Sequence, residues 1–212
     1  MAEILPVRPD APDETAVRRA DAALREGEVV ALPTDTIYGL CARAEDAKAA
    51  EKIYEIKGRG AEKGAPILIG RLDQLSLLTR PLHENIWEKL YLLWPGPLTL
   101  ILPAGENISP LLTGGGGGVA VRYPEQALCQ ALARAAGPFA ATSANAPGEA
   151  PLTGAAAIEE RFGGALGLIL DGGILGEKAA PSTVVDVLGE TPNLIREGAY
   201  PFGVVVKAWE GV

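Results

Sequence analysis

The sequence predicts an α/β protein built on a mixed sheet, and two observations carry this. Helix-like and strand-like patterns alternate along the chain, as they do where helices connect the strands of a sheet. The last strand candidates, from residue 184 onward, follow one another with no helical pattern between them. Strands joined that way pair antiparallel, so the sheet cannot be purely parallel.

Taken in order, Pro12 and Asp13 open a helix whose apolar positions Val17, Ala20 and Leu24 recur at helical spacing, and Gly27 can end it. Residues 29–32 are an apolar run that reads as a short buried strand. It exits into Pro33-Thr34-Asp35-Thr36, which carries hydroxyls and a carboxylate at a strand end, where open α/β sheets bind ligands. Residues 45–57 are the second expected helix, with Ala50, Ile53, Tyr54 and Lys57 on one face. Residues 66–69 form a strand candidate, and two amphipathic helical stretches lie between Asp73 and Trp94. Pro95-Gly96-Pro97 then breaks the chain before a strand over 98–102. A strand over 119–122 precedes a helix over 124–136. Short strands follow at 139–141, 168–170, 184–187 and 194–195, with a helix near 155–162 among them. No linker-like charged or Ser/Pro stretch divides the 212 residues, so one domain over 1–212 is expected.

Composition narrows the function. A chain that is 48% hydrophobic can bury a sizeable core. Its 19 basic and 27 acidic residues leave a net charge of −8, a poor general match for nucleic acid or an anionic membrane unless the cations are gathered in one place. Aromatics at 5% are too few for a surface that stacks many bases. Two distant cysteines, no signal-peptide pattern and no long apolar span point to a soluble cytoplasmic chain. Cys41 and Cys129 lack any metal-like or C-x-x-C spacing and read as small buried hydrophobes. His83 is the sole histidine, which excludes His-rich metal sites and argues against a Ser-His-Asp triad. The five glycines at 114–118 match neither nucleotide-binding glycine pattern and read as a surface loop.

Three constellations can carry chemistry. Lys57, Arg59 and Lys63 are three cations opposed only by Glu62. They are either a solvated helix end or a phosphate clamp. Ser143 and Asn145 alternate with Ala144, so in an extended chain their hydroxyl and amide share a face. They could equally cap a turn before Pro147-Gly148. Ser182 begins one strand, while Arg122 and Arg196 each close another. Arginines and hydroxyls gathered at several strand ends suggest a shared anionic site.

These pieces resemble the YrdC-like proteins, the threonylcarbamoyl-AMP synthases. The match runs in family order through PTDTIYGL at 33–40, Lys57/Arg59 with Lys63, Trp94-Pro-Gly-Pro-Leu-Thr99, Val121-Arg122, Thr142-Ser-Ala-Asn145, Ser182-Thr-Val-Val-Asp186 and Arg196-Glu-Gly198. The resemblance implies a twisted, open mixed sheet with flanking helices, curved around a deep cavity. It implies that L-threonine, bicarbonate and ATP give threonylcarbamoyl-AMP and pyrophosphate, for threonylcarbamoyladenosine modification of tRNA. Thr36, Arg122, Ser143 and Ser182 would hold threonine, with Thr36 chosen over Thr34. Lys57, Arg59, Lys63, Asn145 and Arg196 would hold ATP and its phosphates, with Lys57 and Arg59 acting on the reacting phosphates. Mg²⁺ would arrive with the triphosphate, and Asp35 and Asp186 are its candidate ligands. A downstream tRNA threonylcarbamoyltransferase and a weak tRNA contact are the further partners implied.

Two departures from the family pattern stand out. Pro147 replaces a serine that many relatives carry, and no histidine follows the cations near Gly64-Ala65-Pro66, so residues 64–70 are left out of the expected site. With the chain ending at Val212, the short form without an extra C-terminal domain is expected. The alternative reading is a YrdC-like paralogue that binds RNA and lacks synthase activity.

Overall fold

The computed structural model describes residues 1–58, 60, 64–176 and 180–211. In chain order the elements are β1 (Glu3–Pro6), α1 (Glu14–Arg25), β2 (Val30–Pro33), β3 (Tyr38–Arg43), α2 (Ala47–Lys57) and β4 (Ile67–Leu68). A 3₁₀ turn over Leu72–Leu77 leads to α3 (Glu84–Leu93), β5 (Leu98–Pro103), α4 (Pro110–Thr113), β6 (Gly118–Arg122), α5 (Ala127–Ala136) and β7 (Phe139–Ser143). The chain closes with α6 (Ala155–Phe162), β8 (Leu168–Asp171), β9 (Thr183–Asp186), β10 (Asn193–Arg196) and α7 (Phe202–Glu210).

Among the described residues the strands form one ten-stranded sheet in the order β1-β8-β2-β3-β7-β4-β6-β5-β9-β10. Pairing is mixed, as expected: β5 runs parallel to β9, for example, while β5 and β6 are antiparallel. Successive side chains of each strand point to opposite faces, and this divides the core in two. One face carries Leu40, Ala42, Ile67, Leu100, Val121 and Val185, packed with the buried sides of α2, α3, α6 and α7. The other carries Val30, Leu32, Cys41, Leu68, Phe139 and Leu168, covered by α1 and α5. Those two helices shield only part of that face. Arg122, Thr99, Ile101, Ala120 and Val184, its members on β6, β5 and β9, belong to neither apolar cluster and line a pocket instead.

Local signals explain the helix ends. The Asp13 carboxylate accepts from the Ala16 amide at 2.8 Å to start α1, and Asp46 does the same for Lys48 and Ala49 to start α2. Gly58 adopts φ +59°, the left-handed conformation that stops α2 one residue after Lys57.

Several elements differ from expectation. The loop expected after β2 is the turn of a β2–β3 hairpin, and Tyr38-Gly39-Leu40, unassigned in sequence, begin β3 in register with β2. Strand β3 reads poorly in sequence because Gly39 and Ala42 carry little strand propensity; burial in the middle of the sheet decides the matter. Strand β1 pairs parallel with β8 at the sheet edge and was not anticipated either. Helix α7 was missed because Val204-Val205-Val206 carries a strand-like β-branched run, yet it packs Val205 into the core. Helix α5 starts at Ala127, three residues later than the pattern suggested. The glycines at 114–118 connect α4 to β6, and Gly118 is already strand.

Both cysteines are fully buried and unpaired, and burial raises the pKa of each thiol. The native protein should therefore show no thiol reactive to DTNB at pH 8, whereas the denatured chain shows two per molecule. Prompt labelling of the native protein would contradict this packing.

Candidate functional site

The uncovered part of the sheet floors a pocket of about 800 Å³, within the range typical of small-molecule sites. A cross-strand row sets its polar arrangement: Leu68 on β4 pairs with Arg122 on β6, Arg122 with Thr99 on β5, Thr99 with Val184 on β9, and Val184 with Arg196 on β10. Directly opposed residues share a face, so two arginines and a hydroxyl from three strands, β6, β10 and β5, point into the same space. The hairpin loop with Thr34 and Thr36, and the β7 terminus with Ser143 and Asn145, complete the wall.

Three hydrogen-bonded clusters organise it. In the first, Arg122 is 5% exposed and donates through Nη1 to Thr36 Oγ1 at 2.9 Å, through Nη2 to Asp35, and through Nε to the Gly96 carbonyl at 3.3 Å. Burial pulls its pKa below the usual arginine value, and the Asp35 charge partly offsets that. Thr34 builds the loop: its hydroxyl donates to Ile37 O at 2.7 Å and accepts from the amides of Thr36 and Ile37. Thr34 and Thr36 hydroxyls also meet at 2.9 Å.

The second cluster centres on Lys57, 5% exposed although it is the last residue of α2. Its stem lies on the buried side with Ile53 and Tyr54, and the ammonium turns inward rather than to solvent. It donates to the Ser143 carbonyl and to Asn145 Oδ1 at 3.0 Å. Ser143 Oγ donates to the same Oδ1 at 2.6 Å, and Asn145 Nδ2 donates to Glu149 O at 2.6 Å. In the third, Ser182 Oγ lies 2.8 Å from Thr99 Oγ1, while Arg196 donates to the Ser182 carbonyl at 2.7 Å and to its Oγ at 3.2 Å. Burial and then the charge of Arg122 lower the Arg196 pKa, so the two cations sense each other across the pocket.

The structure thus brings together Thr36, Arg122, Ser143, Asn145, Ser182 and Arg196 on one pocket, with Lys57 bonded into its wall. Arg59 and Lys63 lie outside the described residues. Sequence reasoning missed Thr99, Gly64, Pro66 and Leu68 as pocket lining. Thr99 had a readable signal, a lone polar residue inside the apolar run Leu98-Thr99-Leu100-Ile101-Leu102. Gly64 and Pro66 fell in the stretch set aside for its departure from the family pattern. Asp35 is committed to Arg122 and to the Glu125 amide at 3.1 Å, and Asp186 Oδ1 accepts from Leu188 N at 2.8 Å. Among the described residues no group of three or more His, Cys, Asp or Glu gathers to hold a metal ion.

Comparison with known proteins agrees with this architecture. A family model described as Telomere recombination (Sua5/YciO/YrdC) matches residues 22–198. The threonylcarbamoyl-AMP synthase of Pyrococcus abyssi is 38% identical over 92% of this chain and 57% of its own length. That of Chromohalobacter salexigens is 38% identical over 84% of this chain and 97% of its own. The crystal structure of P. abyssi Sua5 complexed with L-threonine superposes with a TM-score of 0.89 at 38% identity, over 97% of this chain and 60% of that one. This chain therefore spans less than two thirds of the length of the Pyrococcus protein. On the match over 22–198 and these identities, the chain belongs to the Sua5/YciO/YrdC family.

Proposed function

We propose that this chain makes threonylcarbamoyl-AMP from L-threonine, bicarbonate and ATP with release of pyrophosphate, in the cytoplasm, for threonylcarbamoyladenosine modification of tRNA. One observation carries the reading: a single pocket holds Arg122, Arg196 and the Lys57-bound wall, each interleaved with hydroxyls. That arrangement suits an amino acid carboxylate beside a polyphosphate. The synthase names of relatives 38% identical to it, and the L-threonine complex of the Pyrococcus protein, support the same assignment.

In this reading residues 1–212 act as one domain. Arg122, Thr36, Ser143 and Ser182 bind L-threonine, and Lys57, Arg59, Lys63, Asn145 and Arg196 bind ATP. The threonine amine attacks carbon dioxide or bicarbonate to form a carbamate, with loss of water in the second case. The carbamate oxygen then attacks the α-phosphorus and pyrophosphate leaves. No protein nucleophile is required, so the side chains position the reactants and offset negative charge on the phosphates. Mg²⁺ enters as part of the Mg-ATP substrate, since hard cations favour phosphate and water oxygens. The product passes to a tRNA threonylcarbamoyltransferase, with at most a weak direct contact to tRNA.

The deciding experiment measures pyrophosphate release from Mg-ATP and bicarbonate with and without L-threonine, with alanine and serine as controls. Release that requires threonine and bicarbonate together is expected. No threonine-dependent release from folded protein would refute the proposal and favour the RNA-binding alternative. In the same assay Arg59→Ala should lose on the order of 10²-fold in rate, and Ser143→Ala a smaller factor. Wild-type turnover by the Arg59 variant would remove that residue from the phosphate site.

A further inference from the structure

Arg122 is held by three hydrogen bonds, one of them an ion pair, and the count is informative. A guanidinium carries five N–H donors in a rigid plane. Three are met within the protein: Nε–H by Gly96 O, one Nη1–H by Thr36 Oγ1 and one Nη2–H by Asp35. Five minus three leaves two, one on each terminal nitrogen, on a side chain that lines the pocket. A pair of N–H groups on neighbouring nitrogens suits the two oxygens of a carboxylate.

Of the three acceptors, only Asp35 carries a charge, so that contact alone is an ion pair. Gly96 O is a neutral acceptor at 3.3 Å, and Thr36 is a hydroxyl shared with Thr34. The carboxylate is itself held: Oδ2 accepts from the Glu125 amide at 3.1 Å, where the chain turns from β6 toward α5. Asp35 is thus clamped from one side and clamps Arg122 on the other. Both side chains are largely removed from solvent, so their attraction is little screened.

We infer that Asp35 is the positioning residue for the amino acid half of the site: it fixes the plane of Arg122 so that the two remaining N–H groups receive the L-threonine carboxylate. This rests on the function proposed above. In this role one carboxylate oxygen of Asp35 holds Arg122 while the other is held by the Glu125 amide. Anchoring the carboxylate in one orientation also fixes where the threonine amine sits for carbamate formation, although Asp35 touches no reacting atom.

Steady-state kinetics of Asp35→Asn and Asp35→Glu test this, with L-threonine and ATP varied separately. Asn keeps the size and loses the charge; Glu keeps the charge and displaces it by one methylene. Exchanging a charged for a neutral acceptor opposite Arg122 should raise the KM for L-threonine at least about tenfold in Asp35→Asn. Asp35→Glu should raise it less, and the KM for ATP should stay within about twofold in both, because neither partner of Asp35, Arg122 or the Glu125 amide, is among the groups proposed to hold ATP. A merely structural role gives another pattern, a lower kcat from fewer folded molecules with both KM values unchanged, and that result overturns the inference. An unchanged threonine KM, or equal rises for both substrates, also overturns it. If one variant does not fold, the other carries the same comparison. Wild-type protein without threonine-dependent turnover refutes the proposed function, whereas wild-type turnover with an unaltered threonine KM in the variants refutes only the role of Asp35.

Discussion

Arg122→Ala is expected to unfold at markedly lower urea concentration than the wild type and to lose threonine-dependent pyrophosphate release by 10²-fold or more. The two effects have separate causes. The substitution leaves Asp35 largely buried without its cationic partner, and breaking a buried pair by removing one member costs about 3–5 kcal/mol. It also removes the group proposed to receive the threonine carboxylate, a loss on the order of 10²-fold in rate by analogy with other charge-stabilising donors. A second substitution separates them. In Asp35→Ala/Arg122→Ala no charge is orphaned, so part of the stability should return while activity stays absent. Urea midpoints and pyrophosphate release on the three proteins provide the check. A double variant no more stable than Arg122→Ala would mean that the pair contributes through packing rather than charge.

Gly198→Val is expected to have the next largest effect, from a position in no contact with the proposed reacting groups. A Cβ at Gly198 would stand 2.3 Å from the Pro181 carbonyl oxygen and 2.6 Å from the Thr183 amide nitrogen, both backbone atoms that cannot swing aside. The chain after β10 must therefore lift off the segment that carries Ser182. Arg196, which grips Ser182 through its carbonyl and hydroxyl, would be displaced with it. Overpacking of this kind costs roughly 1–3 kcal/mol, and loss of the Arg196 position should reduce turnover on the order of 10²-fold. Amide hydrogen exchange over residues 193–200 should accelerate in parallel. Normal exchange together with normal turnover would show that the tail tolerates the side chain.

What the sequence revealed depended on the kind of signal involved. Helix α1 was legible because Asp13, apolar spacing and Gly27 coincide, and α2 because Ala50, Ile53, Tyr54 and Lys57 share one face. The inward turn of Lys57 was foreshadowed by its place on the face of Ile53 and Tyr54, although a solvated helix end was equally compatible with that spacing. The pairing of Ser143 with Asn145 followed from alternation along a strand end, and the two do meet. Strand β3 was illegible for the opposite reason: nothing local marks Tyr38–Arg43 as extended, and only its neighbours β2 and β7 make it so. The clamp on Arg122 was equally hidden, because Asp35 and Arg122 lie 87 positions apart and one sequence carries no record of their contact.

That separation has a kinetic side. The pocket draws on residues from Thr34 to Arg196, and its floor joins β5 to β9 across some eighty intervening residues. Contacts so distant in the chain close large loops before any are rewarded, which slows folding relative to a protein of local contacts. As the chain leaves the ribosome, Arg122 and Asp35 are made early, whereas Ser182 and Arg196 are among the last side chains of the pocket to be synthesised. Until the β9–β10 hairpin docks, the molecule has half a binding site and an uncovered β5 edge. An unpaired edge of that kind invites pairing with other chains. A complete pocket and protection from aggregation would therefore arrive together, when that hairpin docks.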